Sequence, residues 1–209
     1  MNYIENVYAC LSAPIFMGIL CMKGRIRRIM IFLLVGMTVC LLSSYISTFI
    51  ASVYGASLFD AAIEISPLYE EIMKLLPIIF FLLVFEPKRE DAKEAVMMTA
   101  VGFATFENVC FMIQHGAENI VNLLIRGFGT GAMHIVAGSI MAFGILNLWN
   151  SKWIRAAGTL AFLAIAATFH GVFNILVSQE GVFAVIGYFI PLFTAVVLLI
   201  FRYRHKNFY

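Results

Sequence analysis

"SPLYEEIMKLLPIIFFLLVF", residues 66–85, joins three ionisable side chains, Glu70, Glu71 and Lys74, to an unbroken apolar run. The whole chain has 209 residues, of which 62% are hydrophobic and only 12% are charged. A soluble domain of this length cannot hide so much apolar surface, which indicates a membrane protein. A charge at the centre of a membrane helix costs about 2.5–3.5 kcal/mol. The three ionisable groups are therefore expected to have partners elsewhere in the chain.

Further apolar runs lie on both sides of this stretch, each about long enough to cross a bilayer as a helix. The predicted spans are about 4–22, 29–53, 67–85, 95–114, 123–149, 156–178 and 182–201. The connectors between them are short and polar, so none can hold a folded soluble domain. We therefore expect an all-α polytopic membrane protein with about seven transmembrane helices, forming a single domain over residues 1–209.

The basic residues predict how the chain is oriented. Lys and Arg occur in the connectors "KGRIRR", "EPKREDAKE" and "NSKW" and in the C-terminal tail, whereas the alternate connectors contain neither. Because basic connectors stay in the cytoplasm, this alternation places the N-terminus outside and the C-terminus in the cytoplasm. The net charge of +2 is thus a signal of topology, and it does not suggest a nucleic-acid partner.

Three more ionisable side chains, Glu107, His134 and His170, fall inside later spans. At about 1.5 Å of rise per residue, Glu107 and His170 lie about 12 Å below the predicted outer end of their helices, and His134 lies about 16 Å below. Three helices thus deliver these groups to a similar depth in the outer half of the bilayer. Arg126, near the outer end of the fifth helix, can either join them or extend its charge to the interface.

The start of the third helix has two interpretations. Ser66 can cap the helix with Pro67 at its first position, or Pro67 can kink a longer helix that begins near residue 60. The two glutamates lie about 5–6 Å below the helix start in the first case and about 15–17 Å in the second, in the outer half either way. Glu70 and Lys74, four residues apart, can pair along one face. Glu71 points about 100° away from Glu70, so the two carboxylates are expected to have different roles.

These residue types suit hydrolysis. Carboxylates and imidazoles in a water-poor pocket can activate a water molecule as general bases. Asn174, one helical turn after His170, could stabilise an oxyanion together with a histidine. Glu107, His134 and His170 are also the ligand types that zinc takes, with a further glutamate as base. No "HExxH" is present, and spacing leaves metal-bound and metal-free water both open.

Four short motifs resemble those of the PrsW family of intramembrane proteases, and together they cover about residues 66–175. They are "EEIMK", "GFATFEN", "MHIVAGSIMAFG" and "FHGVFN". The resemblance implies peptide-bond hydrolysis in or near a bacterial plasma membrane, with first-site cleavage of a membrane-anchored anti-sigma factor as a characterised role. The family has been described both as metalloprotease-like and as glutamate-type. The wider clan includes the CAAX-prenyl proteases, with "EExxxR" and "HxxxN" motifs; this chain departs from that branch at Lys74 and Glu107.

The expected site combines these residues with distinct roles. Either Glu70 or Glu71 is the base, and His134 and His170 hold a water molecule or a metal ion. Asn174 donates a hydrogen bond to an oxyanion. Glu107 is a metal ligand or orients another site residue, and Lys74 sets the charge of the carboxylate pair. The expected partners are the lipid bilayer and a membrane-anchored protein substrate, such as a single-span anti-sigma factor.

Other functions remain open from the sequence. Intramembrane Glu, His and Lys also build the relays of proton-coupled transporters and channels, although the inner halves of the fourth and fifth spans carry no ionisable residue. A CAAX-type prenyl-protein protease would need a cytoplasmic opening, which the outer position of the site disfavours. A non-enzymatic assembly or immunity protein is the third alternative.

Overall fold

The part of the chain that the structure describes forms seven long helices joined by short connectors. The computed structural model describes residues 3–117, 119–147 and 152–204, and all regular structure within these ranges is helical. The helices are α1 (Ile4–Cys21), α2 (Gly24–Tyr54), α3 (Ser66–Phe85), α4 (Arg89–His115), α5 (Ile120–Asn147), α6 (Lys152–Val177) and α7 (Val182–Arg204). Residues 148–151 and 205–209 lie outside the described residues, and of the basic residues behind the predicted orientation only Lys206 falls there.

Six of these helices, all except α3, are long and apolar enough to cross a membrane. The prediction of an all-α polytopic membrane protein is thus confirmed. The crossing of α3, which has 20 residues and three charges, and the orientation of the termini stay predictions. The α4 helix begins six residues before the predicted span, because Glu90 and Asp91 in its first turn favour the positive end of a helix.

The α3 helix does not begin at a serine cap. Ser66 has helical dihedral angles, φ −56° and ψ −46°, and the chain is already helical from Leu58 through a π-helical turn, Ala61–Ile65. The Ser66 amide donates to the carbonyl of Ala61, five residues back, which is the spacing of a π-helix. The cap interpretation is therefore wrong, and the interpretation of a longer helix interrupted at Pro67 is confirmed. Proline causes the interruption because it has no amide hydrogen to continue the α-helical pattern.

The α2 and α4 helices touch through their backbones. A Cβ atom added at Gly36 of α2 would overlap the Thr99 carbonyl, and one added at Gly102 of α4 would overlap the Leu33 carbonyl. Small residues at a membrane-helix crossing permit this close approach. The contact fixes α4, and with it Glu107, against the first half of the bundle.

The α5 helix lies at the centre, packed on α4, α6 and α7. Beyond Lys74 and His134, towards the α3–α4 connector, the bundle is filled by apolar side chains from α2 to α6. The buried members of this apolar core include Phe32, Leu75, Ile78, Leu82, Val96, Ala137, Met141, Ile145, Leu163 and Ala166. The ionisable side chains of the spans therefore gather in the other half, nearer the α4–α5 and α6–α7 connectors.

Candidate active site

Six ionisable side chains from four helices meet in one buried cluster. Each lies within hydrogen-bond or ion-pair distance of at least one other member. They are Glu70, Glu71 and Lys74 of α3, Glu107 of α4, His134 of α5 and His170 of α6. The structure thus brings together six of the seven residues expected from the sequence, and the seventh, Asn174, lies one turn beyond His170.

Lys74 and Glu71 form the centre of the cluster. The Lys74 Nζ donates to Oε1 of Glu71 at 2.5 Å and lies 2.9 Å from Nδ1 of His134. Both partners are buried, with side chains 8% and 2% exposed. The expected pairing of Glu70 with Lys74 is not formed, because Glu71 faces the bundle interior on the lysine side while Glu70 turns towards His170. The expectation of different roles for the two carboxylates agrees with this geometry.

His170 is held between the two glutamates. Its Nδ1 lies 2.9 Å from Oε1 of Glu71, and its Nε2 lies 3.6 Å from Oε2 of Glu70. A carboxylate at Nδ1 favours the tautomer that donates there and leaves the lone pair of Nε2 facing Glu70. The Oε2 atom of Glu70 is buried and has no hydrogen-bond partner among the described residues. A buried carboxylate oxygen of this kind needs a proton donor or a cation beside it.

His134 is enclosed completely and uses both ring nitrogens. Its Nδ1 faces the Lys74 amine, and its Nε2 lies 2.5 Å from Oε2 of Glu107. Because an ammonium group only donates, Nδ1 accepts and Nε2 donates to Glu107. The ring meets that of His170 edge-on, with centroids 5.1 Å apart, and that of Phe103 at 4.8 Å. Both imidazoles therefore have fixed orientations before any substrate arrives.

Arg126 also belongs to this site. Its Nη2 donates to Oε1 of Glu107 at 3.3 Å and its Nη1 to Thr130 at 3.4 Å, while the guanidinium lies 3.8 Å from the centroid of the Phe111 ring. The side chain is only 15% exposed, so it does not extend to the interface. The sequence spacing already indicates that Arg126 is near the site. It precedes His134 by eight residues, about two helical turns, and the two share a face of α5.

Asn174 points away from the carboxylates. Its Nδ2 donates to the main-chain carbonyl of Ala62 at 2.9 Å. In a helix that carbonyl would accept from the amide four or five residues later. The amide four residues after Ala62 is that of Ser66, and it already donates to the Ala61 carbonyl in the π-helical turn. The amide five residues after Ala62 would be that of Pro67, which has no amide hydrogen. Asn174 therefore completes the turn that leads into α3, and its expected role as an oxyanion donor stays a prediction.

Two cavities flank the cluster. One, of about 450 Å³, lies where α4 and α6 end and α5 and α7 begin, and its lining includes His115, Asn119, Asn122, Arg126 and Tyr188. Through Arg126 it adjoins Glu107. The other, of about 20 Å³, is enclosed beside Glu71 and Lys74, which is room for one water molecule. Access to the cluster is therefore from the side of the α4–α5 and α6–α7 connectors.

Three side chains of the cluster could hold a metal ion. Glu70, His134 and His170 each offer one ligand atom, and these atoms all lie within 4.8 Å of one another. The set expected from the sequence has Glu107 in place of Glu70. The unpartnered oxygen of Glu70 and the outward lone pair of His170 fit a zinc ion, which takes nitrogen and carboxylate oxygen ligands. His134 would join such a set in exchange for one of its two hydrogen bonds.

A comparison with known families agrees with the motifs. A protein-family model described as "PrsW family intramembrane metalloprotease" matches residues 25–201, a range that includes every site residue named above. No curated protein and no solved structure matches the chain.

Proposed function

The chain belongs to the PrsW family of intramembrane metalloproteases, and we propose that it hydrolyses a peptide bond of a membrane-anchored protein near the outer membrane face. The observation that carries this proposal is the buried cluster of six ionisable side chains beside a polar-lined cavity. Glu107 lies eight residues before the end of α4 and His170 seven before the end of α6, about 12 Å and 10 Å along the helices. Both helix ends face outwards in the orientation that the basic connectors predict.

We assign Glu70, His134 and His170 to metal binding. A zinc ion held there would supply Lewis-acid polarisation of a carbonyl group or of a water molecule. Glu71 orients His170 through Nδ1, which is how carboxylates commonly support histidine ligands. Lys74 balances the charge of Glu71. Its hydrogen bond to Nδ1 of His134 is the one that would give way to a bound metal ion, so that Nε2 can continue to donate to Glu107.

Glu107 is the carboxylate that can exchange protons with a substrate. Its side chain is 28% exposed, against 17% for Glu70 and 2% for Glu71. It lies between the cavity residue Arg126 and the buried His134. A group in this position can accept a proton from an attacking water molecule and pass it to the leaving amine. Arg126 holds the carboxylate in place and supplies positive charge beside the reacting carbonyl oxygen.

The substrate is a single-span protein with an extracytoplasmic segment, of which a membrane-anchored anti-sigma factor is an example. An intact transmembrane helix has all its amides paired internally and resists hydrolysis within the bilayer. The chain beyond the helix end can unfold and enter the cavity between α4, α5 and α7 as an extended strand. A CAAX-prenyl substrate would have to arrive from the cytoplasmic side, where the bundle is filled by the apolar core. The same core lies across the path that a transmembrane proton relay would need.

The test is cleavage by the purified full-length protein in liposomes containing a single-span substrate with an outer juxtamembrane segment. We expect a product that keeps its transmembrane helix and cytoplasmic part, with the new terminus mapped by mass spectrometry to the outer segment. Chelation should abolish cleavage, and zinc should restore it, with close to one equivalent bound per chain. A cut on the cytoplasmic side would contradict the predicted direction of access. Full activity in metal-free protein would contradict the metal assignment.

A further inference from the structure

A second cavity of about 450 Å³ lies on a different face of α5 from the cluster, and none of the six clustered side chains lines it. The α4 and α7 helices both flank α5, and the space between them forms a slot with α5 as its floor. Lining residues on α5 run from Gly127 to Asn147. That distance is about 30 Å along the helix, close to the thickness of the hydrocarbon core of a bilayer. The slot is therefore long and narrow and runs along α5, one of the candidate membrane-spanning helices.

One end of the slot is cationic and the rest is apolar. Arg89 and Lys93, one turn apart at the start of α4, line this end, and Nη2 of Arg89 donates to Oδ1 of Asn147 at 2.5 Å. The positive-inside pattern places this end at the cytoplasmic face. Along the remaining length the walls are mostly aliphatic and aromatic side chains, such as Phe128, Ile135, Leu146, Leu192 and Leu199.

The floor of the slot is not filled by the protein. A Cβ atom added at Gly131 would meet nothing within 4 Å, and one at Gly127 would meet only the Asn108 side chain at 3.9 Å. Gly129, on another face of α5, would instead collide with Tyr188. Gly127 and Gly131 thus leave room for a molecule against α5 rather than permitting contact with a neighbouring helix of this chain.

We propose that the slot binds an acyl chain of an anionic phospholipid whose headgroup contacts Arg89 and Lys93. Charge and shape both favour this occupant. Basic pockets between helices on the cytoplasmic side suit anionic headgroups. A transmembrane helix is about 10–12 Å across with its side chains, and a 30 Å length of it needs several times the volume of the slot. The cytoplasmic end of such a helix also carries Lys and Arg as a rule, which Arg89 and Lys93 would repel.

The test measures lipid retention by the full-length protein with native mass spectrometry, after reconstitution in nanodiscs of mixed phosphatidylglycerol and phosphatidylcholine. Wild type should retain phosphatidylglycerol preferentially. The double variant Arg89→Gln/Lys93→Gln should lose about thirtyfold of that preference, since each cation near an anionic surface contributes about fivefold. The matched control is Lys23→Gln/Arg27→Gln, which removes two exposed charges at the same predicted face outside the slot and should leave the preference unchanged.

A second variant tests the apolar part. Gly131→Leu places a side chain in the open floor and should lower the retention of both lipids without disturbing the helix, because leucine is a better helix former than glycine. Equal retention of the two lipids by wild type, an equal loss in the Lys23/Arg27 control, or unchanged retention in Gly131→Leu would overturn the proposal. So would a photo-crosslinker at Phe128 that captures a substrate helix or a second copy of the chain instead of lipid.

Discussion

The link between Asn174 and Pro67 gives a prediction with a defined magnitude. Asn174→Ala removes the Nδ2 donor that lies 2.9 Å from the Ala62 carbonyl. No main-chain amide of the π-helical turn can replace it, because the Ser66 amide bonds Ala61 and Pro67 has none. The bond is exposed in the protein, so its loss costs about 0.5–1.5 kcal/mol, as for an ordinary hydrogen bond. We therefore expect Asn174→Ala to destabilise the protein by about 0.5–1.5 kcal/mol.

A Pro67→Ala background tests whether the effect of Asn174→Ala arises from the Ala62 carbonyl. That substitution restores an amide hydrogen five residues after Ala62, so the main chain can satisfy the carbonyl without Asn174. The cost of Asn174→Ala should then fall below about 0.5 kcal/mol, giving a coupling of about 1 kcal/mol between the two positions. Thermal unfolding of the four proteins in one detergent measures this, since 1 kcal/mol corresponds to about 2–4 °C in Tm at this chain length. Ser178→Ala, four residues after Asn174 and directly after the end of α6, is the control and should change stability by less than about 0.5 kcal/mol.

Activity measured on the same four proteins separates two roles. If Asn174 also donates to an oxyanion, Asn174→Ala lowers kcat by about 10²–10³ in both backgrounds. If it only completes the turn, activity recovers in the Pro67→Ala background along with stability. An equal stability cost of Asn174→Ala in the two backgrounds would refute the assignment of the Ala62 carbonyl as its functional partner.

Three further predictions concern topology and the site. Reporter fusions at residue 90 and at the C-terminus should lie inside and a fusion in the α4–α5 connector outside, and an outside C-terminus would reverse the predicted orientation. Glu71→Gln and His170→Ala should each leave less than about a tenth of wild-type cleavage in inserted, folded protein. The double variant should be no less active than either single variant, because the effects of residues that act as one unit are not additive. Cleavage above a tenth of wild type in a single variant would remove that residue from the site. Arg126→Gln should lower kcat by about 10–100-fold, as expected for a lost charge-assisted hydrogen bond to Glu107, whereas wild-type kcat in this variant would show that Arg126 only packs on Phe111.

The helices could be predicted from the sequence because the bilayer restricts which secondary structures can span it. A chain in hydrocarbon must pair its own amides, so apolar runs of this length become helices and their number can be read from hydropathy. The beginning of α3 was not predictable in the same way. Ser66-Pro67 satisfies the local rules of both a cap and an interrupted helix, and the choice depends on whether α6 supplies a donor to Ala62. That donor, Asn174, is 112 residues away in the sequence.

The sequence predicts which residues form the site better than it predicts which of them contact one another. Depth counting along helices brings Glu71, Glu107, His134 and His170 to one level, since rise per residue is nearly constant. Which carboxylate pairs with Lys74 depends instead on side-chain conformation, because Glu70 and Glu71 lie four and three residues before it on the same helix. Contacts with neighbouring helices set those conformations, and His170 of α6 lies beside both glutamates.

The pairing of Lys74 with Glu71 has a consequence for how the protein is made. The two side chains are three residues apart on α3, so they can neutralise one another as soon as that helix forms, before any later helix exists. A helix with three ionisable residues thus enters the bilayer with a single uncompensated charge, on Glu70. His170, whose Nε2 lies 3.6 Å from the Glu70 carboxylate in the folded protein, is synthesised one hundred residues later, after α4 and α5. The order of translation therefore leaves Glu70 without this neighbour until α6 is inserted, and the cluster forms only when that helix is in place.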